Sequence, residues 1–142
     1  MTSIGCTSMK LRASLCTILC LFMAGPAPQR VQAGAKPVPV MIGGERDLDA
    51  CSAVGVVSGL DRKPTSTLAV RSGPGLQFDR IDRLASGARV WLCDPQGDWV
   101  GIVYGRASQD CGVSTPSAKR RPYTGPCAAG WVFHQYVSLL AG

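Results

Sequence analysis

The chain has 142 residues, 46% hydrophobic and 17% charged, with a formal net charge of +6. A chain of this size supports one ordinary domain with a single core, which excludes a multidomain architecture. Three of the positive charges, Lys10, Arg12 and Arg30, fall in residues 1–33, which hold no acid; the remainder carries only +3, so no nucleic-acid partner is expected.

Residues 1–33 read as a secretory signal peptide. Lys10 and Arg12 precede an apolar run from Ala13 to Ala24, and Gly25-Pro26-Ala27-Pro28 breaks it. Small residues suited to a signal peptidase then follow at Val31-Gln32-Ala33 and at Ala33-Gly34-Ala35. About a dozen apolar residues fall short of the roughly 20 that a spanning helix requires. No later segment is longer, so no membrane span is expected after processing, and the product is placed in the periplasm or outside the cell. Cys16 and Cys20 lack the preceding small residues of a lipidation site.

Four cysteines, Cys51, Cys93, Cys111 and Cys127, follow the expected cut. In an exported chain they imply two disulfides. Four cysteines allow three connectivities and sequence does not choose among them; the preferred pairing joins Cys111 to Cys127 and Cys51 to Cys93. No C-x-x-C pair is present and the spacings are wide, so disulfides are expected over a zinc site and no metal or cofactor is assigned.

Residues 34–49 mix prolines, glycines and charges without a hydrophobic period and read as a flexible leader to a domain at 50–142. Short strands are predicted from Cys51 onward, at 53–57, 68–71, 80–84, 89–93, 99–104, 131–133 and 136–139. Turn residues separate them at 60–66, 72–75, 86–87, 95–98 and 105. No helical period is present, so the fold class is all-β, a small barrel or sandwich. The clearest hairpin runs from Arg89 to Tyr104 about a turn at Asp94–Asp98, whose acids are read as bonding to turn backbone. The return strand is apolar at nearly every position, so alternation leaves its inward face open, and Gly101 marks a bulge or a close crossing. Residues 106–129 hold three prolines, two cysteines and the basic triplet Lys119, Arg120 and Arg121. They read as a disulfide-closed insertion, not a strand pair. The triplet is expected to be a solvated surface, with an anionic ligand as the functional alternative.

Most of the aromatic surface resides in Trp91, Trp99, Trp131, Tyr104, Tyr123 and Tyr136. An aromatic groove can stack sugar rings or cradle an extended peptide. Trp131 is expected in the core and Trp99, directly after a polar turn, on a half-exposed platform. Trp91 lies outside if Val90 and Leu92 face inward. Arg71 alternates away from Leu68 and Val70 and points outward, where a salt bridge to Asp79 or Asp82 is expected ahead of a bidentate contact with a peptide carboxylate. His134 is the only histidine, and paired cysteines offer it no thiol, so no catalytic residue is assigned and an enzyme is not expected.

Four segments, taken together, resemble the bacterial Src-homology-3-type (SH3-like) domains of exported and cell-wall proteins. They are Leu68-Ala69-Val70-Arg71-Ser72-Gly73-Pro74-Gly75; Ile81 to Leu84 with Gly87 and Val90; Gly97-Asp98-Trp99 with Ile102; and Gly130-Trp131-Val132 with Tyr136-Val137. The resemblance spans Cys51 to about Leu140. It implies an SH3-like barrel of five to six short antiparallel strands, without catalysis, that attaches to peptidoglycan or to another protein. Ala69 departs from the polar residue many members carry, and the 106–129 insertion replaces a short turn. The expectation is therefore a monomeric, non-catalytic envelope module that recognises peptidoglycan, by stem peptide or glycan, through Arg71, Trp91, Trp99, Tyr104 and Tyr136. The alternative is a protein-interaction or inhibitor module of the periplasm that uses residues 106–129.

Overall fold

A computed structural model describes residues 34–142; the expected signal peptide lies outside the described residues. The strands are β1 (Met41–Ile42), β2 (Glu45–Asp49), β3 (Ala53–Val57), β4 (Thr67–Arg71), β5 (Arg80–Ala85), β6 (Arg89–Gln96), β7 (Trp99–Tyr104), β8 (Pro116–Ser117), β9 (Arg121–Pro122), β10 (Ala128–Phe133) and β11 (Val137–Ala141). One 3₁₀ turn, His134–Tyr136, is the single helical element among the described residues. The fold is all-β and antiparallel.

Seven strands form the main sheet in the order β11-β3-β6-β7-β10-β4-β5. Neither edge strand pairs with the other among the described residues, so the sheet is open where a closed five- to six-stranded barrel was expected. It is nonetheless curled, because one core draws Val57, Leu68, Val70, Val90, Ile102, Val132 and Val137 from β3, β4, β6, β7, β10 and β11. Alternation works as expected on β4 and β6, where Leu68, Val70, Val90 and Leu92 turn inward.

Alternation gave no answer on β7 because both of its faces are buried. A second apolar cluster, Ile42, Ala50, Cys51, Val103, Cys111 and Val113, packs on the outer face of the sheet, joined by Trp91, Tyr123 and Ala129. Its cover comes from two segments that were not expected to build structure. Residues 34–49, read as a flexible leader, form β1 and β2 and bury Val40 and Ile42, the latter 1% exposed. The insertion supplies β8 and β9, which pair with β2 and β1, not with each other. We therefore describe residues 34–50 as a strap. The strap donates Val38 N–H to Ser72 O at 2.8 Å, and Val40 O accepts Tyr123 N–H at 2.9 Å.

Both preferred disulfides are present, Cys51–Cys93 over 42 residues and Cys111–Cys127 over 16. Loops of these lengths correspond to roughly 3–4 kcal/mol each in the chain-entropy model. The first staples the start of β3 to β6, and the second closes the insertion, where Tyr123 Oη donates to Cys111 O and accepts from Cys127 N–H, both at 3.0 Å.

Two glycines set close crossings. A methyl at Gly101 would meet Val40 Cγ1 at 2.9 Å and Asp94 Cβ at 3.0 Å, so the strap can lie against β7 only if this position has no side chain. A methyl at Gly130 would run into Val70 Cγ1, with Arg71 O at 3.0 Å, where β10 crosses β4.

The β6–β7 hairpin is longer than expected. Its ladder continues to Gln96 opposite Trp99, so the turn is only Gly97-Asp98, with Gly97 at φ 59. The register shift between Leu92 and Asp94 places one extra residue, Cys93, on β6. Asp94 is consequently a strand residue and not a turn acid. It is 1% exposed, accepting Met41 N–H at 3.0 Å and the Arg120 guanidinium at 2.7 Å. A buried carboxylate needs such partners, and these two tie strap and insertion to the hairpin through one side chain.

Candidate functional site

The register of β7 against β10 arranges the aromatic residues. Ala129 pairs with Val103, Trp131 with Gly101 and Phe133 with Trp99, all on the outer face. The second cluster covers the first of these pairs, and the strap crosses the second, where Trp131 Nε1–H donates to Val38 O at 2.8 Å. The third is left uncovered. Trp99 and Phe133 stay half-buried, in edge-to-face contact with ring centroids 5.5 Å apart, and Tyr136 follows at 6.3 Å from Phe133.

These three rings form one wall of a groove of about 610 Å³. Ala69 and Arg71 of β4 contribute from the neighbouring strand, Leu60 and Asp61 from the β3–β4 loop, and Leu76 from the loop after β4. Leu76 is 77% exposed, the most exposed large apolar side chain of the described residues. A volume of this order suits a small ligand or a few residues of an extended chain, and the lining is mainly apolar with a few polar groups, as binding clefts commonly are.

Of the expected ligand residues, the groove brings together Arg71, Trp99 and Tyr136. Trp91 does point away from Val90 and Leu92, yet it is half-buried against the second cluster and does not line the groove. Tyr104 lies in the main core, and its Oη donates to Asp82 Oδ2 at 2.9 Å. Phe133 was missed. The signal for it was the Trp99 partnership at the end of the β7–β10 ladder remote from the insertion, which requires the β7–β10 register and not the β10 sequence alone.

Arg71 does not make the expected salt bridge to Asp79 or Asp82. Its Nη1 donates to Phe78 O at 2.8 Å and Leu76 O at 3.2 Å, holding the 72–79 loop against β4. Asp82 instead accepts from Tyr104 and from Arg83 N–H at 2.7 Å. In the basic triplet, Arg120 is bound to Asp94, while Lys119 and Arg121 are exposed. All four described cysteines from 51 to 127 are paired, and His134 is exposed on the 3₁₀ turn.

Desolvation, followed by the hydrogen bond to Asp82 and its negative charge, raises the Tyr104 phenol well above the ordinary tyrosine range. The sign follows from the neutral form being favoured in the folded state. The contribution to stability is complete below the ordinary phenol value of about 10 and is lost as pH rises through the folded value. Tyr104→Phe is expected to cost about 1 kcal/mol at neutral pH and to flatten the fall in stability above about pH 10. Urea denaturation of both proteins at a series of alkaline pH values checks this.

The fold and the groove define a small all-β, disulfide-stapled protein with an open aromatic cleft. No family model, curated protein or solved structure matches the chain. Among the described residues no helix is long and apolar enough to cross a membrane.

Proposed function

We propose that the chain is a non-catalytic, exported binding module of the SH3-like type that recognises peptidoglycan, through its stem peptide or its glycan, in the bacterial envelope. The observation that carries this reading is the uncovered Trp99–Phe133–Tyr136 wall beside Arg71. Flat apolar faces accept both sugar rings and extended peptides, and a preformed aromatic wall loses little conformational entropy on binding. The paired cysteines support an oxidising compartment and leave no free thiol among the described residues. The small curled antiparallel sheet and the four quoted segments support the SH3-like assignment.

Exposure of Lys119 and Arg121 favours a second reading, a protein-interaction or inhibitor module contacting through residues 106–129. That surface is reduced by one cation, since Arg120 is held by the buried Asp94.

Sedimentation of the exported protein with insoluble peptidoglycan at low salt tests the proposal. Retention is expected, with a loss of about tenfold in affinity for Trp99→Ala, as for an aromatic anchor of a small interface. A Lys119→Ala, Arg121→Ala double variant should be retained like the parent. Absence of retention ends the wall-binding reading, and loss in the double variant instead of Trp99→Ala moves the contact to the insertion.

A further inference from the structure

Arg71 and Arg80 are direct partners across the β4–β5 ladder, at a register shift. Like charges set opposite each other on a sheet disfavour the fold. Neither arginine makes an ion pair among the described residues, where Arg120–Asp94 is the one salt bridge. Asp79 sits in the same hollow beside them without pairing to either. Arg71 commits Nη1 to the Leu76 and Phe78 carbonyls, and neither Nε nor Nη2 has a hydrogen-bond partner among the described residues.

The two arginines occupy a defined place relative to the aromatic wall. Arg71 lines both the groove that holds Trp99, Phe133 and Tyr136 and the adjoining hollow that holds Arg80. Leu76 also borders both. A ligand lying along the aromatic wall therefore reaches two guanidiniums against the single carboxylate of Asp79 at the Arg71 end, a net positive charge, whereas the other charged group of the groove is the exposed Asp61.

We propose that the Arg71–Arg80 pair is a carboxylate site, and that the groove takes an extended peptide whose free carboxylate sits on these two guanidiniums while its apolar atoms lie on the aromatic wall. A planar carboxylate matches a guanidinium edge with two parallel N–H···O bonds, and with Asp79 it balances the charge of the two opposed cations. Uncharged sugar hydroxyls offer neither. This deepens the peptidoglycan reading and rests on it, selecting the stem peptide over the glycan strand. No bond is made or broken.

Isothermal titration of the exported protein with a synthetic stem peptide is the test. The peptide is used as the free acid and with its carboxylates converted to amides, beside an uncharged N-acetylglucosamine oligosaccharide. The free acid is expected to bind at least about tenfold more tightly than the amide, with a preference that weakens as salt is raised. Arg80→Gln, which removes no bond to the 72–79 loop, should erase most of that preference. Arg71→Lys keeps the charge but loses the planar fork and should reduce the preference in the same direction. Equal affinity for acid and amide, binding of the oligosaccharide alone, or a preference that survives both substitutions overturns the carboxylate site. If the insoluble polymer is retained under any of those results, only this inference fails; if the polymer is not retained either, the wall-binding reading fails with it.

Discussion

Replacing Trp131 by alanine is expected to lower the unfolding free energy by about 4 kcal/mol, the middle of the range for truncating a buried aromatic. The indole is 0% exposed and lies where three parts of the chain meet. Gly101 faces it across the β7–β10 ladder, Arg71 is its partner on β4, and Val38 O accepts its N–H at 2.8 Å. Truncation leaves a cavity that two rigid ladders cannot close, and it strands the Val38 carbonyl under the strap. Trp131→Phe keeps much of the apolar volume and loses the donor, so it should cost roughly 1–3 kcal/mol. Denaturant titration followed by far-ultraviolet circular dichroism, with the disulfides intact, measures both. A loss below about 1 kcal/mol for the alanine variant would be incompatible with a packed indole.

The second large effect is expected at Ile42. It is 1% exposed in the second cluster, and β1 holds it opposite Arg121 of β9. Ile42→Ala should cost about 3 kcal/mol, because the side chain fills the space between the insertion and the outer face of the sheet. Had residues 34–49 been a flexible leader, the same substitution would change stability by less than about 0.5 kcal/mol, as surface changes do. The measurement thus separates a strap that completes the domain from a tail that precedes it. It also bears on the groove, since the covered part of the outer face ends where Trp99 and Phe133 begin.

How much of this was legible depended on the range of the signal. The strand at Ala53–Val57 and the inward turn of Val90 and Leu92 were readable because alternation is a property of short segments, whereas the cysteine pairing was a preference among three connectivities that the structure bears out. The second layer was not. Its ladders join Met41 to Pro122 and Glu45 to Ser117, and β1, β8 and β9 are two residues long, too short to show any period. Without that layer in view, Trp91 looked open and β7 looked ambiguous, although both follow from a sheet covered on each side. Asp94 was misplaced for a related reason. An Asp-Pro pair beside glycine is ordinary turn chemistry, and only the strap's Met41 N–H and the insertion's Arg120 make the same carboxylate a buried strand residue.

The candidate site was half legible. Trp99 carried a local signal, the polar turn before it, and Tyr136 was named through the closing segment of the resemblance. Arg71 was placed outward correctly, but its partner is the loop backbone, which no charge pattern reveals. Tyr104 was drawn into the core by Asp82, a residue on the far edge of the sheet, and Phe133 entered the site through its register with Trp99.

Nuclear magnetic resonance titration of the exported, nitrogen-15-labelled protein with soluble peptidoglycan fragments tests the central claim most directly. The account predicts that the Trp99 indole and the amides of Leu60, Ala69, Arg71, Phe133 and Tyr136 shift together with one binding curve. Shifts confined to Lys119–Arg121 or to the Trp91 region, or no shifts at millimolar fragment, would contradict it.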